Sequence, residues 1–184
     1  VLKQGPQQLR IVADDNLQDH ITTKVNGNTL SIDMDGNFCN TGPITVYLDS
    51  KSYEGVDASG AVEIVSDGLL QVKDFEMKLS GSNKVNLNLN AANVTTKSTG
   101  ASEIYLKGQA STHEVDLSGS SKIEAFDFVV GKYKIESSGA SEAKINVLND
   151  LEIKSSGSSD VQYRGNPSSV SNHDFGASSI RKIN

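Results

Sequence analysis

Residues 98–126 read STGASEIYLKGQASTHEVDLSGSSKIEAF. Two small-Gly-small turns frame this stretch, Thr99-Gly100-Ala101 and Ser118-Gly119-Ser120. After each turn, apolar and polar residues alternate: Ile104 and Leu106 follow the first, Ile123 and Ala125 the second. That is the period-2 signature of a strand with one buried face. The turn recurs along the chain, at Gly60, Gly81, Gly100, Gly119, Gly139, Gly157 and Gly176, with spacings of 21, 19, 19, 20, 18 and 19 residues. The residue after each glycine is Ala61, Ser82, Ala101, Ser120, Ala140, Ser158 and Ala177, alternating Ala and Ser. A tight corner stacked on copies of itself admits only such small side chains.

Counting outward from the glycine defines two strands per repeat. Four residues after it come Ile64, Val85, Ile104, Ile123, Ala143, Val161 and Ile180, expected to form one buried column. Four before it come Val56, Met77, Thr96, Val115, Ile135, Ile153 and Asn172. Six before it come Glu54, Phe75, Val94, His113, Tyr133, Leu151 and Val170. No stretch shows the 3.6-residue period of a helical repeat, and a propeller blade needs ~40 residues. A hairpin meander has no reason to match every second strand, whereas a coil that stacks each residue on its equivalent ~4.8 Å away does. The fold class is therefore all-β, a parallel β-helix of about nine coils at ~19 residues each. The chain reads as a single domain over 1–184: residues 1–50 form irregular N-terminal coils or a β cap, and 51–184 the regular glycine-cornered repeats. Within the cap, DDNLQDHI (14–21) has the character of one helical turn.

The outward rows carry charge. Three residues after each glycine come Glu63, Lys84, Glu103, Lys122, Glu142 and Asp160, with Ser102, Ser121, Ser141, Ser159 and Ser178 as a hydroxyl ladder beside them. The alternating sign favours one stacking register, although each exposed pair contributes well under ~1 kcal/mol. Glu142 and Asp160 break the alternation and are the best catalytic guess, since glycoside hydrolysis needs two nearby carboxyl groups. A salt-bridge ladder that ends irregularly is the plainer reading, and no catalytic residue is assigned.

Net charge is −6, with no basic run, so a polyanion meets net repulsion and no nucleic-acid partner is expected. His20, His113 and His173 stand at no metal-ligand spacing; His113 reads as a core histidine with a hydrogen-bond partner. Asp33 and Asp35 share a strand face but belong to a solvated edge, so no metal and no cofactor is expected. Cys39, the single cysteine, reads as a small buried hydrophobe. No stretch reaches the ~20 apolar residues of a membrane span. The chain opens as if in the middle of a strand pair, and an export signal is expected ahead of it. Outward aromatic residues are the remaining candidates for ligand contact. Tyr105 and Phe126 lie one coil apart and are expected to form a small patch.

The repeated SGSS and SGAS corners, DNLQDHITTKVNGNTLSI (15–32), DVQYRGNPSSV (160–170) and GASSIRKI (176–183) together resemble the bacterial family of putative auto-transporter adhesins with a head GIN domain. The resemblance implies a single-stranded right-handed β-helix, similar in shape to pectate lyases but lacking their catalytic residues. It also implies a secreted, outer-membrane-attached or periplasmic protein acting in cell adhesion. The expected function is a non-enzymatic binding module that presents stacked polar ladders to a glycan or to a host or cell-surface protein, as a monomer or weak oligomer. The alternatives are a polysaccharide-active enzyme and a purely structural spacer.

Overall fold

The computed structural model describes residues 1–36 and 42–183, so Cys39 lies outside the described residues. The chain forms a parallel β-solenoid of about seven turns with about 19 residues per turn. Its elements are β1 (Leu2–Gln4), β2 (Gln8–Val12), α1 (Asp15–Gln18), β3 (Ile21–Asn26), β4 (Thr29–Met34), β5 (Thr45–Ser50), β6 (Gly55–Gly60), β7 (Glu63–Gln71), β8 (Asp74–Gly81) and β9 (Lys84–Gly100). There follow β10 (Glu103–Gly119), β11 (Lys122–Gly139), β12 (Glu142–Gly157), β13 (Asp160–Arg164), β14 (Ser169–Asp174) and β15 (Ser179–Lys182). The central strands run through two faces of a coil, with register shifts between β10 and β11 and between β11 and β12. We call the segment entering each corner glycine the entry face, and the segment leaving it the exit face.

Registers follow the sequence columns. Ile64 pairs with Val85, Val85 with Ile104, Ile104 with Ile123, Ile123 with Ala143, Ala143 with Val161 and Val161 with Ile180. The first six are buried. The corner glycines stack as well, and two constraints coincide there. Gly100 has φ +125°, and a Cβ added to it would stand 2.4 Å from the carbonyl oxygen of Gly81 in the coil below. No side chain satisfies both.

The expected nine coils become seven because residues 8–36, which hold β2, α1, β3 and β4, do not wind with the rest. On the exit face the strand order is β9-β7-β1-β5-β2, so the first strand of the chain is inserted between two later ones. Leu2 pairs with Leu48 on one side and Ser66 on the other. β2 runs antiparallel to β5 and closes this end of the exit face. β3 and β4 form a separate two-stranded sheet. α1 supplies the single helical turn, with Leu17 fully buried.

Candidate functional site: the polar outer faces

The solenoid interior contains hydroxyls as well as hydrocarbon. The serine row two residues after each glycine has the same parity as the apolar positions four and six after it. The structure accordingly turns this row inward, not outward beside the charges. Ser121 Oγ lies 2.9 Å from Ser98 Oγ, Ser159 Oγ 2.7 Å from Ser137 Oγ, and Ser178 Oγ 2.6 Å from Ser155 Oγ. Ser141 belongs to the same row, but its equivalent partner position holds Leu117, and its hydroxyl has no partner among the described residues. His113 is fully buried, with Nε2 2.8 Å from Thr96 Oγ1 and its ring against Tyr133 and Phe128. Burial pulls its imidazole down to about 3 and pushes the Tyr133 phenol far up. Neither group is open to a ligand.

Among the described residues no Asp, Glu, Lys or Arg is buried as a whole, and the charged rows stand outside. On the exit face, Lys122, Glu124, Glu142 and Lys144 form a closed square, with Lys122–Glu124 at 2.9 Å, Lys144–Glu124 at 2.7 Å, Lys144–Glu142 at 3.1 Å and Lys122–Glu142 at 3.6 Å. Partial burial opposes ionisation of Glu124, but hydrogen bonds from Lys144 and Lys122 prevail and hold its carboxyl below the ordinary range. Asp160 stacks on Glu142, and Arg181 bonds it from the other side at 2.8 Å. Its partial burial likewise works against ionisation and is outweighed by hydrogen bonds from Gln162 and Arg181, so its acidity is increased. The two carboxylates thus each have cationic or amide partners, and Asp160 is held ionised. A glycosidase acid needs the opposite shift.

The entry face is built the same way. Lys134–Glu136 stand 3.2 Å apart, Lys154–Glu136 3.5 Å, Lys154–Glu152 3.0 Å and Lys132–Asp150 3.0 Å. Two shallow depressions open on this face. One, of about 340 Å³, is bordered by Thr112, Glu114, Lys132, Asp150 and Ser169. The other, of about 300 Å³, is bordered by Asp116, Glu136, Ser138, Lys154, Ser156 and Phe175. Phe175 is 85% exposed. Sequence reasoning missed it, although the signal was present. The residue before each corner glycine is Ser59, Ser80, Thr99, Ser118, Ser138 and Ser156, and only then Phe175.

Tyr105 and Phe126 lie on the exit side and both are half-buried. Tyr105 pairs across the ladder with Asn86 and Glu124, and its hydroxyl donates to Glu103 Oε2 at 3.1 Å. Phe126 falls where the register between β11 and β12 shifts, because this coil carries 20 residues and bulges between Ala125 and Val129. The Arg164 guanidinium covers its ring at 4.3 Å.

These features define a parallel β-solenoid with a closed core and self-neutralised polar faces. A family model described as putative auto-transporter adhesin, head GIN domain, matches residues 1–167, and the chain belongs to that family. A crystal structure of a putative adhesin from Bacteroides fragilis NCTC 9343 superposes with a TM-score of 0.94 at 21% identity, covering 99% of this chain and 86% of that one. A putative lipid binding protein from Parabacteroides distasonis ATCC 8503 gives 0.71 at 18% identity, covering 100% and 88%. A putative adhesin from Parabacteroides merdae ATCC 43184 gives 0.64 at 16% identity, covering 100% and 87%. No curated protein matches the sequence significantly. Among the described residues, no helix is long and apolar enough to cross a membrane.

Proposed function

We propose that this protein is a non-enzymatic binding module, exported to the cell surface or periplasm, that attaches to a glycan or protein through its outer faces. One observation carries this reading. The carboxylates that sequence alone put forward for catalysis, Glu142 and Asp160, are bonded to Lys144 and Arg181. The outer rows are a lattice of such pairs, suited to holding a surface and not to proton transfer. Tyr105 and Phe126 belong to this reading as a secondary contact region on the exit side. The test has two arms. Fluorescently labelled protein is expected to adhere saturably to bacterial or mucin-coated surfaces. Incubation with neutral and acidic polysaccharides is expected to release no reducing ends and no unsaturated products. Turnover that disappears in Glu142→Gln or Asp160→Asn would replace this reading with an enzymatic one.

A second reading, contact with an apolar or lipid ligand, has its own observation. In the β3–β4 sheet the register pairs Ile21 with Met34, Thr23 with Ile32 and Val25 with Leu30. One face is therefore almost wholly apolar, and Val25 on it is 72% exposed. The name of the lipid binding relative points the same way. Co-sedimentation with phosphatidylcholine vesicles, lost in Val25→Asp, would favour this reading.

A further inference from the structure

We propose that the entry face next to Phe175 is an oligosaccharide subsite, specific for a neutral sugar chain; this rests on the binding-module reading and names its ligand class and its place. The argument starts from the break in the repeat. The position before the corner glycine carries a hydroxyl residue in six coils and a phenylalanine in the last. The ring does not serve the core, because it is 85% exposed. Its backbone is fixed, its N–H donating to Ser155 O at 2.9 Å, so the side chain projects from an ordered rung. The ring stands at the edge of the smaller depression, beside the exposed hydroxyl residues Ser138 and Ser156 and the pair Glu136–Lys154.

That combination selects its ligand. An aromatic face beside fixed donors and acceptors suits a sugar, whose C–H face packs on the ring while its hydroxyls bond the polar groups. A charged ligand finds little to hold. Lys154 is already bonded to Glu136 and Glu152, and Lys132 to Asp150, so an anion must displace a carboxylate from each. The overall charge of −6 opposes polyanions further. Of the carboxylates at the smaller depression Glu136 is ion-paired and Asp116 is not, so a cation would find one free carboxylate there and no cluster of them. A protein partner would want several apolar anchors in a desolvated patch, and here a single ring rises from a polar surround. The larger depression lies on the same face and is likewise polar, with Thr112, Lys132, Asp150 and Ser169 at its border. An extended β-linked chain advances by roughly one coil spacing, ~4.8 Å, per sugar, which lets successive rungs meet successive sugars.

Isothermal titration calorimetry of the whole chain tests the proposal with β-1,4-linked hexasaccharides of glucose, xylose and mannose, and with hexagalacturonate as the acidic counterpart. At least one neutral hexasaccharide is expected to bind. Phe175→Ala is expected to weaken that binding at least tenfold at unchanged melting temperature, Phe175→Trp to retain it, and Ser138→Ala with Ser156→Ala to weaken it severalfold. Binding of hexagalacturonate alone, absence of binding by all three neutral chains, or binding indifferent to Phe175→Ala overturns the proposal. The surface-adhesion assay separates the two readings. Adhesion that persists in Phe175→Ala removes this subsite and leaves the module reading standing, whereas absence of adhesion by the unaltered protein removes both.

Discussion

Gly100 and Gly27 both have positive φ, +125° and +58°, yet they answer to different constraints. Gly27 sits in the β3–β4 turn with nothing within 4 Å of an added Cβ, whereas at Gly100 that atom meets Gly81 O. Gly27→Ala is therefore expected to cost ~1 kcal/mol from backbone strain alone, and Gly100→Ala well over ~2 kcal/mol, as measured by denaturant unfolding. Equal costs would show that the corner stack relaxes freely. His113 makes a prediction of the same grain. Its folded value of about 3 lies below the ordinary 6.5. The unfolded chain therefore binds the extra proton first, and the stability contributed by a neutral His113 is complete above pH 6.5 and lost as pH falls toward 3. Each tenfold change in proton affinity is worth ~1.4 kcal/mol, which puts the loss on the order of a few kcal/mol. The double variant His113→Leu with Thr96→Val, which orphans no hydroxyl, is expected to show a shallower loss of stability between about pH 7 and pH 4. An unchanged slope would place the acid sensitivity in other groups. The burial of His113 was legible in the sequence, because six residues before the corner is an inward position shared with Phe75 and Leu151.

Within the strands, the inward hydroxyl row distinguishes paired from unpaired members. Removing the Ser121 hydroxyl strands Ser98 Oγ, so Ser121→Ala is expected to cost ~1–2 kcal/mol. Ser141 Oγ is buried without a partner, so Ser141→Ala is expected to be neutral or stabilising. A denaturant series on the two variants checks the order. The columns of the regular coils could be read from sequence because each is anchored to a glycine whose backbone cannot be replaced, and parity then determines which side chains face in. The same parity argument would have placed the serines inside. Their polarity suggested the surface, but a hydroxyl paired with its neighbour one coil away is compatible with burial. The site was less legible than the fold. Phe175 was visible only in the column before the glycine, and Phe126 was displaced by a bulge that follows from coil length, 20 residues in this coil against 18 in the next. The hairpin turn at Asn26-Gly27 was evident, but nothing local to it says that β3 and β4 stand apart from the main sheet.

For the molecule as a whole, the two ends are closed differently. At the N-terminal end of the exit face, antiparallel β2 covers β5, with Arg10 stacked over Tyr47 at 3.9 Å. At the other end, among the described residues, β15 pairs with β13 alone and β14 with β12 alone, and β15 carries Arg181 and Lys182. Cationic side chains on an edge discourage pairing with another chain. Static light scattering across a concentration series is expected to give a monomer or a weak, reversible oligomer. A stable dimer or trimer at low micromolar concentration, lost on deleting residues 176–184, would make that rung an assembly surface. The difference between nine expected coils and seven has a reason that belongs to this scale. Chain length divided by period assumes that every residue winds, and whether residues 8–36 do so depends on pairings of β1 and β2 with β5, between residues 33 to 46 apart.

The insertion of β1 between β5 and β7 bears on how the molecule resists pulling. Tension along the chain at residue 1 meets a strand clamped on both sides, with the Val1 nitrogen bonded to Val46 O and Leu2 opposite both Leu48 and Ser66. Load in that direction shears rows of hydrogen bonds together, whereas load on a free edge unzips them one after another. The excursion of residues 5–44 is tied to adjacent rungs at both of its roots, so it cannot peel away while β1 holds. In the proposed binding role such a solenoid has a clasp at β1, and slippage under load begins only when that short strand leaves its slot.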